Sequence, residues 1–224
     1  MRRRLFTFGS AAAFLAASAT ARAAAPSDAE AASGIRAALE RGASEAVGLL
    51  GQPDGFLGNP KVRIPLPKYL ESAAKMARFA GQQQRVDELV TAMNRAAEAA
   101  VPLAKTLLVD AVKSIGIADA WRVVSGGDGA VTRFFADKTR APLGEKFLPI
   151  VKQETERVDL AARFNAVAGK AAGLGLMKGE PSIEHYVTEK ALDGLYFMIG
   201  EQEKKIRADP VGTGSAILAR VFGR

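Results

Sequence analysis

The chain has 224 residues, 31 basic against 24 acidic side chains, a formal charge of +7 and 48% hydrophobic residues. It contains no cysteine, which excludes disulfides, metal–thiolate sites, a thiol nucleophile and a lipid-bearing cysteine. Arg2, Arg3, Arg4 and Arg22 precede Ala24, in a stretch without acids; beyond it the balance is 27 to 24, too even to point to nucleic acid, and no basic stripe with interleaved aromatics is present.

In chain order the first expected element is a signal peptide. Arg2–Arg4 form a positive start, Leu5 to Ala21 is uncharged and rich in Ala, Phe and Leu, and Ala21-Arg22-Ala23 places small residues where a signal peptidase reads. Cleavage is expected after Ala23, because a cut after Ala25 would leave Pro26 first. Arg3-Arg4-Leu5-Phe6 fits the core of a twin-arginine signal, a receptor-read address and not an anchor. Three consecutive arginines also suit an ordinary Sec signal, so both routes stand. The apolar run, about 17 residues and rich in Ala, is short for a spanning helix. The expected organisation is 1–23 signal peptide, 24–28 flexible lead and 29–224 one helical domain, periplasmic, not lipidated, and without a transmembrane segment after cleavage.

Ile35, Leu39, Ala43, Val47 and Leu50 recur at helical spacing and predict a first helix ending before Gly51-Gln52-Pro53-Asp54-Gly55. Phe56 to Pro67, with Pro60, Pro65 and Pro67, is the least helical stretch and reads as an ordered loop laid over the helical body, an edge strand or polyproline stretch at most. A helix is predicted over Lys68 to about Ala80. A longer stripe follows from Val86 to Ile115, with a kink or two abutting helices at Pro102. A short helix from about Ala118 to Val124 carries the only tryptophan, Trp121. After the Ser125–Gly129 turn, helix is predicted through Phe135 and again from Pro142, placed as a first helical residue. Leu160, Phe164 and Val167 mark a further helix whose end Gly173, Gly175 and Gly179 loosen. Ser182, just after Pro181, opens the last long helix, to about Ala208, and Ile217 to Phe222 makes a closing one. The fold class expected is all-α: a single-domain bundle of seven to nine helices with one proline-rich ordered loop.

Several stretches occur together in order: Asp54-Gly55-Phe56-Leu57-Gly58-Asn59-Pro60, Ile64-Pro65-Leu66-Pro67, and Met93-Asn94-Arg95-Ala96-Ala97-Glu98-Ala99-Ala100-Val101-Pro102. Gly126-Gly127 with Thr132 and Phe135, Phe147-Leu148-Pro149-Ile150-Val151, Tyr186 to Leu195, and Glu203 to Pro210 complete the set. In these the chain resembles the domain of unknown function 4197 family of bacterial exported proteins, over nearly all of the sequence after the leader. The resemblance implies a helical fold and a signal sequence, often of the lipoprotein kind, from which this cysteine-free chain departs. It supplies no activity, cofactor or catalytic residue.

Chemistry-bearing groups are few. His185, the lone histidine, lies four residues before Glu189 on a helix face, but no further metal-ligand spacing accompanies it. A surface or capping role explains it better, and no metal site is expected. The Ser125–Gly129 turn before a helix offers free N–H groups to an anion, yet it lacks the lysine of a phosphate-binding loop; Asp128 as N-cap explains the same residues. Asn94 and Glu98, Asp110 with Lys113, and Lys190 with Asp193 are polar groups set beside apolar stripes. They form a polar site only if the helices bring them together, and otherwise make a solvated face with a few structural hydrogen bonds. The proline-rich loop is the strongest functional candidate, since binding residues concentrate on ordered loops held by rigid scaffolds. Its polar members include Asp54, Asn59, Lys61 and Arg63; closing one end of the core is the simpler role.

The candidate ligand- or partner-binding residues are therefore Asp54, Asn59, Arg63, Asn94, Glu98, Asp110, Lys190 and Asp193, with no catalytic or cofactor-binding residue assigned and no cofactor expected. The function expected is a periplasmic, non-enzymatic envelope protein that binds an apolar small molecule or an envelope protein. An enzyme whose polar groups, Asn94, Glu98, Asp110, Lys190 and Asp193, converge only in three dimensions is the alternative, and a peripheral membrane protein a third.

Overall fold

A computed structural model describes residues 26–114, 116, 118, 120–173 and 182–223, with the side chains of 169–173 left out. The expected signal peptide, Ala24 and Ala25 of the lead, Ile115, Gly175, Gly179 and Pro181 lie outside the described residues. Among the described residues there are nine α-helices, one 3-10 turn (Lys68–Leu70) and no strand. The helices are α1 (Asp28–Leu50), α2 (Glu71–Phe79), α3 (Gln83–Leu103), α4 (Lys105–Ser114), α5 (Ala120–Val124), α6 (Ala130–Arg157), α7 (Leu160–Gly173), α8 (Ile183–Ala208) and α9 (Ala216–Phe222). None of the described helices is long and apolar enough to cross a membrane.

Local chemistry sets where these helices start. Ser27 accepts from Glu30 N (3.2 Å) while the Glu30 carboxylate accepts from Ser27 N (2.9 Å), a reciprocal cap that satisfies two orphan donors of α1. Ser182 caps α8 by accepting from the backbone N–H of His185 at 3.2 Å, and the exposed imidazole takes no part. At Pro102, α3 gives way to α4 across the single residue Ala104, the abutting pair its position predicts.

Pro142 corrects an expectation. It opens no helix: α6 runs unbroken from Ala130 to Arg157 with Pro142 and Pro149 inside it. Each proline removes one helical hydrogen bond, to Lys138 and Glu145 respectively. Seven residues apart, the prolines share one face, and they, Lys138 and Glu145 are all exposed. Water can reach the freed carbonyls there, so the helix continues.

The core sits around α8, which packs most extensively on α1 and α6 and also meets α3 and α9. Small residues of α1 permit the closest approach. A Cβ on Gly34 would lie 2.7–2.8 Å from Val221 of α9, and one on Gly42 3.3 Å from Ile199 of α8. Phe56, Ile64 and Leu70 are fully buried with Leu39, Met93 and Phe135. The loop between α1 and the 3-10 turn thus supplies part of the core.

Candidate functional site

Residues 51–67 form a connection longer than the ~12–15 residues beyond which structureless loops become uncommon and are usually functional. Its backbone folds through successive turns. Asn59 organises the middle: its carbonyl accepts from Val62 N (3.1 Å) and Arg63 N (2.9 Å), and its side chain from Lys61 N (3.1 Å). Asp54 takes a left-handed φ of 66°, a conformation Asp tolerates better than most residues.

Helix α3 holds this loop with two buried polar side chains. Asn94, fully buried, accepts from Ile64 N (2.9 Å) and donates to Ile64 O (2.9 Å) and Val90 O (2.8 Å). The side-chain amide treats Ile64 as a neighbouring strand would, closing both backbone groups of a residue whose side chain is in the core. One turn further on, Glu98 Oε1 accepts from both Phe56 N and Leu57 N at 3.0 Å. Its Oε2 accepts from Arg95 at 2.6 Å, and Arg95 reaches on to Asp54 Oδ1 at 2.8 Å. Asp54, Asn59, Asn94 and Glu98 are thus brought together as the framework of the loop.

The outer edge of the loop faces α8. Lys61, Arg63 and Pro65 line an open groove of about 300 Å³ with Lys190, Asp193 and Phe197, over Val62 and Gly194. The α8 charges are mutually matched: Asp193 pairs with Lys190 (2.9 Å) and Arg140 (2.8 Å), and Arg140 also approaches Glu189 (3.3 Å) and lies over the Tyr196 ring. Lys61 contacts Glu201 at 3.3 Å and stands over Phe197. Arg63, exposed, has no hydrogen-bonding or ionic side-chain partner among the described residues. Phe197 beside it is 39% exposed.

Gly194 sets the floor of the groove. A Cβ there would sit 2.6 Å from the Phe56 ring, so only glycine lets the loop's aromatic anchor reach α8. Gly194→Ala is expected to lower unfolding stability by about 1–3 kcal/mol through overpacking, read from the urea midpoint.

Tyr186 latches the loop's end by donating to Pro65 O at 3.0 Å. Its phenol is pushed up to about 12, by burial first and then by Tyr69 and Asp193. An unfolded tyrosine releases its proton near pH 10. Between that pH and about 12 the folded chain holds the proton more firmly than the unfolded one, so stability falls as pH rises through this window and is fully present below it. Tyr186→Phe is expected to flatten this alkaline decline, measured by urea unfolding at successive pH values.

The remaining candidates lie elsewhere. Asp110 is exposed on α4, in a separate groove of about 620 Å³ shared with Lys138 and Lys146 of α6. A larger cleft of about 800 Å³ beside α3 and α7 is lined by Gln83, Glu88, Arg157 and Arg163. Its charges are matched in part by Arg163–Glu88 (3.1 Å) and by Arg157 with Glu154 (2.9 Å). Among the described residues no group of three or more His, Asp and Glu is placed to hold a metal.

The turn before α6 also differs from expectation. Gly129, at a left-handed φ of 73°, is the N-cap with no side-chain cap hydrogen bond, and the carbonyl of Asp128 accepts from Arg133. The α6 N-terminus is filled by the buried carboxylate of Glu203 from α8. It accepts from Val131 N (3.2 Å), Thr132 N (2.8 Å) and Thr132 Oγ1 (2.7 Å). Arg207 Nε donates to Glu203 at 2.9 Å; Nη2 is equally close without hydrogen-bond geometry, and Nη1 donates to Val124 O at 2.9 Å. A carboxylate at a helix N-terminus does what a bound anion would do, so this turn is closed to ligand. Sequence reasoning passed over Glu203, although its place between Ile199 and Ile206 on the buried stripe of α8 marked it as an acid in need of partners.

Compared with known protein families, residues 25–223 match the family described as Protein of unknown function (DUF4197), and the chain belongs to it. No curated protein and no solved structure matches the chain.

Proposed function

We propose that this member of the DUF4197 family is an exported, non-enzymatic binding protein of the bacterial envelope, and that its groove between the proline-rich loop and α8 takes an acidic segment of a partner protein. Residues 1–23 serve as its signal peptide, with Arg3-Arg4-Leu5-Phe6 directing it to the twin-arginine route. Arg63 carries the reading: an unpaired guanidinium beside half-exposed Phe197, on a loop whose backbone buried groups of α3 hold in place. A guanidinium takes a carboxylate in a two-pronged hydrogen bond, and a preformed loop loses little freedom on binding. At about 300 Å³ the groove lies at the lower limit of small-molecule sites, which favours one or two side chains of a peptide over a whole lipid.

The enzymatic alternative has less support. Asn94 and Glu98 are occupied with the loop backbone, Lys190 and Asp193 pair with each other on its far side, and Asp110 lies in another groove. The five residues do not share one concave site.

Native mass spectrometry of the protein recovered from the periplasm tests this directly. The wild type is expected to carry a bound polypeptide, and Arg63→Glu to lose at least about tenfold of its occupancy, as truncation of a central arginine anchor does. A bare wild-type protein, or a polypeptide retained equally by the variant, would remove the groove from consideration.

A further inference from the structure

Helix α2 is built the opposite way round from an ordinary surface helix. Its inner face, against α3 and α7, is made of Ala73, Ala74 and Ala77, with Ala74 fully buried. Its large apolar side chains point outward: Met76 is 75% exposed and Phe79 99% exposed. Residues three and four apart share a helix face, so Lys75, Met76 and Phe79 form one outward patch. Lys68, Lys75 and Arg78 are exposed along this stretch against the single acid Glu71, and none of the four has an ionic partner among the described residues.

We propose that α2 is a membrane-docking element that seats the protein on an anionic lipid surface. Met76 and Phe79 enter the headgroup–acyl boundary while Lys68, Lys75 and Arg78 meet the lipid phosphates; long basic side chains can keep their charge at that level while their stems lie along the apolar layer. Charge decides between this occupant and a second copy of the chain. A two-fold contact through the patch would bring two copies of the same surface, three cations against one acid, face to face, whereas an anionic surface attracts all three cations. The patch is independent of the loop groove, so the two readings stand or fall separately.

The absence of natural cysteine permits a local probe. An environment-sensitive fluorophore is attached to Ser72→Cys on the exposed side of α2, and in a second protein to Ser44→Cys on the exposed side of α1. On adding phosphatidylglycerol–phosphatidylethanolamine vesicles, the α2 probe is expected to shift to the blue and the α1 probe to stay unchanged. The shift should weaken at high salt, and Met76→Ser with Phe79→Ser should lower vesicle partitioning roughly tenfold or more. Both side chains are exposed, so the double variant should fold as the wild type does, checked by circular dichroism. An α2 probe indifferent to vesicles, or a shift that survives the double variant, overturns the proposal. A shift that grows with protein concentration without lipid also overturns it, in favour of self-association.

Discussion

Glu203→Ala is expected to be the most damaging single substitution described here, lowering unfolding stability by about 3–5 kcal/mol, the scale of breaking a buried ion pair from one side. The deleted carboxylate is the acceptor for two backbone N–H groups and a hydroxyl at the start of α6, and the ionic partner of Arg207. Burial leaves these donors no water to turn to. Thr132→Val removes only one of the hydrogen bonds and should cost about 1 kcal/mol. Urea unfolding of both variants gives the comparison. Equal losses would mean that the carboxylate's other contacts add nothing to the threonine hydroxyl's.

Asn94→Ala is expected to lower stability by about 2–4 kcal/mol, because it strands the N–H and C=O of buried Ile64 together. Its second signature is local. The loop should become an early site of proteolysis, at Lys61 or Arg63, while the helices remain protected. Asn94→Asp is a sharper variant: it keeps an acceptor for Ile64 N but turns an oxygen toward Ile64 O, so it should be at least as harmful as alanine. A loop that stays protease-resistant in both variants would show that its apolar anchors, Phe56 and Ile64, hold it without α3's polar groups.

These residues also show how far the sequence could be read. Helical spacing placed α1, α8 and α9 closely, because stripes such as Ile35–Leu39 and Leu195–Ile199 state which face is buried. Asn94 was legible as a polar group in need of a partner, but its partner, Ile64, lies thirty positions away, and nothing in periodicity pairs a helix position with one residue of a loop. Asp128 fitted the rule for N-caps; the competing cap, Glu203, comes from another helix and is visible only once α6 and α8 are packed. Pro142 obeyed the preference for helix starts, yet the cost of a proline inside α6 is met where its freed carbonyl reaches water. In α2, Ala73, Ala74 and Ala77 on one side and Met76 and Phe79 on the other suggest an interior opposite to the real one, since alanine wins the buried face only when the neighbouring helices come close.

The candidate site was legible to the same degree. Arg63, Lys190 and Asp193 were singled out from separate segments, and the fold brings them to one groove. Asp54, Asn59, Asn94 and Glu98 hold the loop that forms its edge. Asp110 had the same local pattern, a polar residue beside an apolar stripe, but the turn of α4 carries it to a different face of the bundle.

The proposed groove rests on α3 freezing residues 51–67 into one preformed edge, and amide hydrogen exchange resolved by residue tests this most directly. The amides of Phe56, Leu57 and Ile64 end on Glu98 and Asn94, so they should exchange as slowly as core helical amides of α3 and α8, with Asn94→Ala releasing Ile64 selectively. Exchange of all three within seconds, at the rate of an open loop, would contradict a preformed edge.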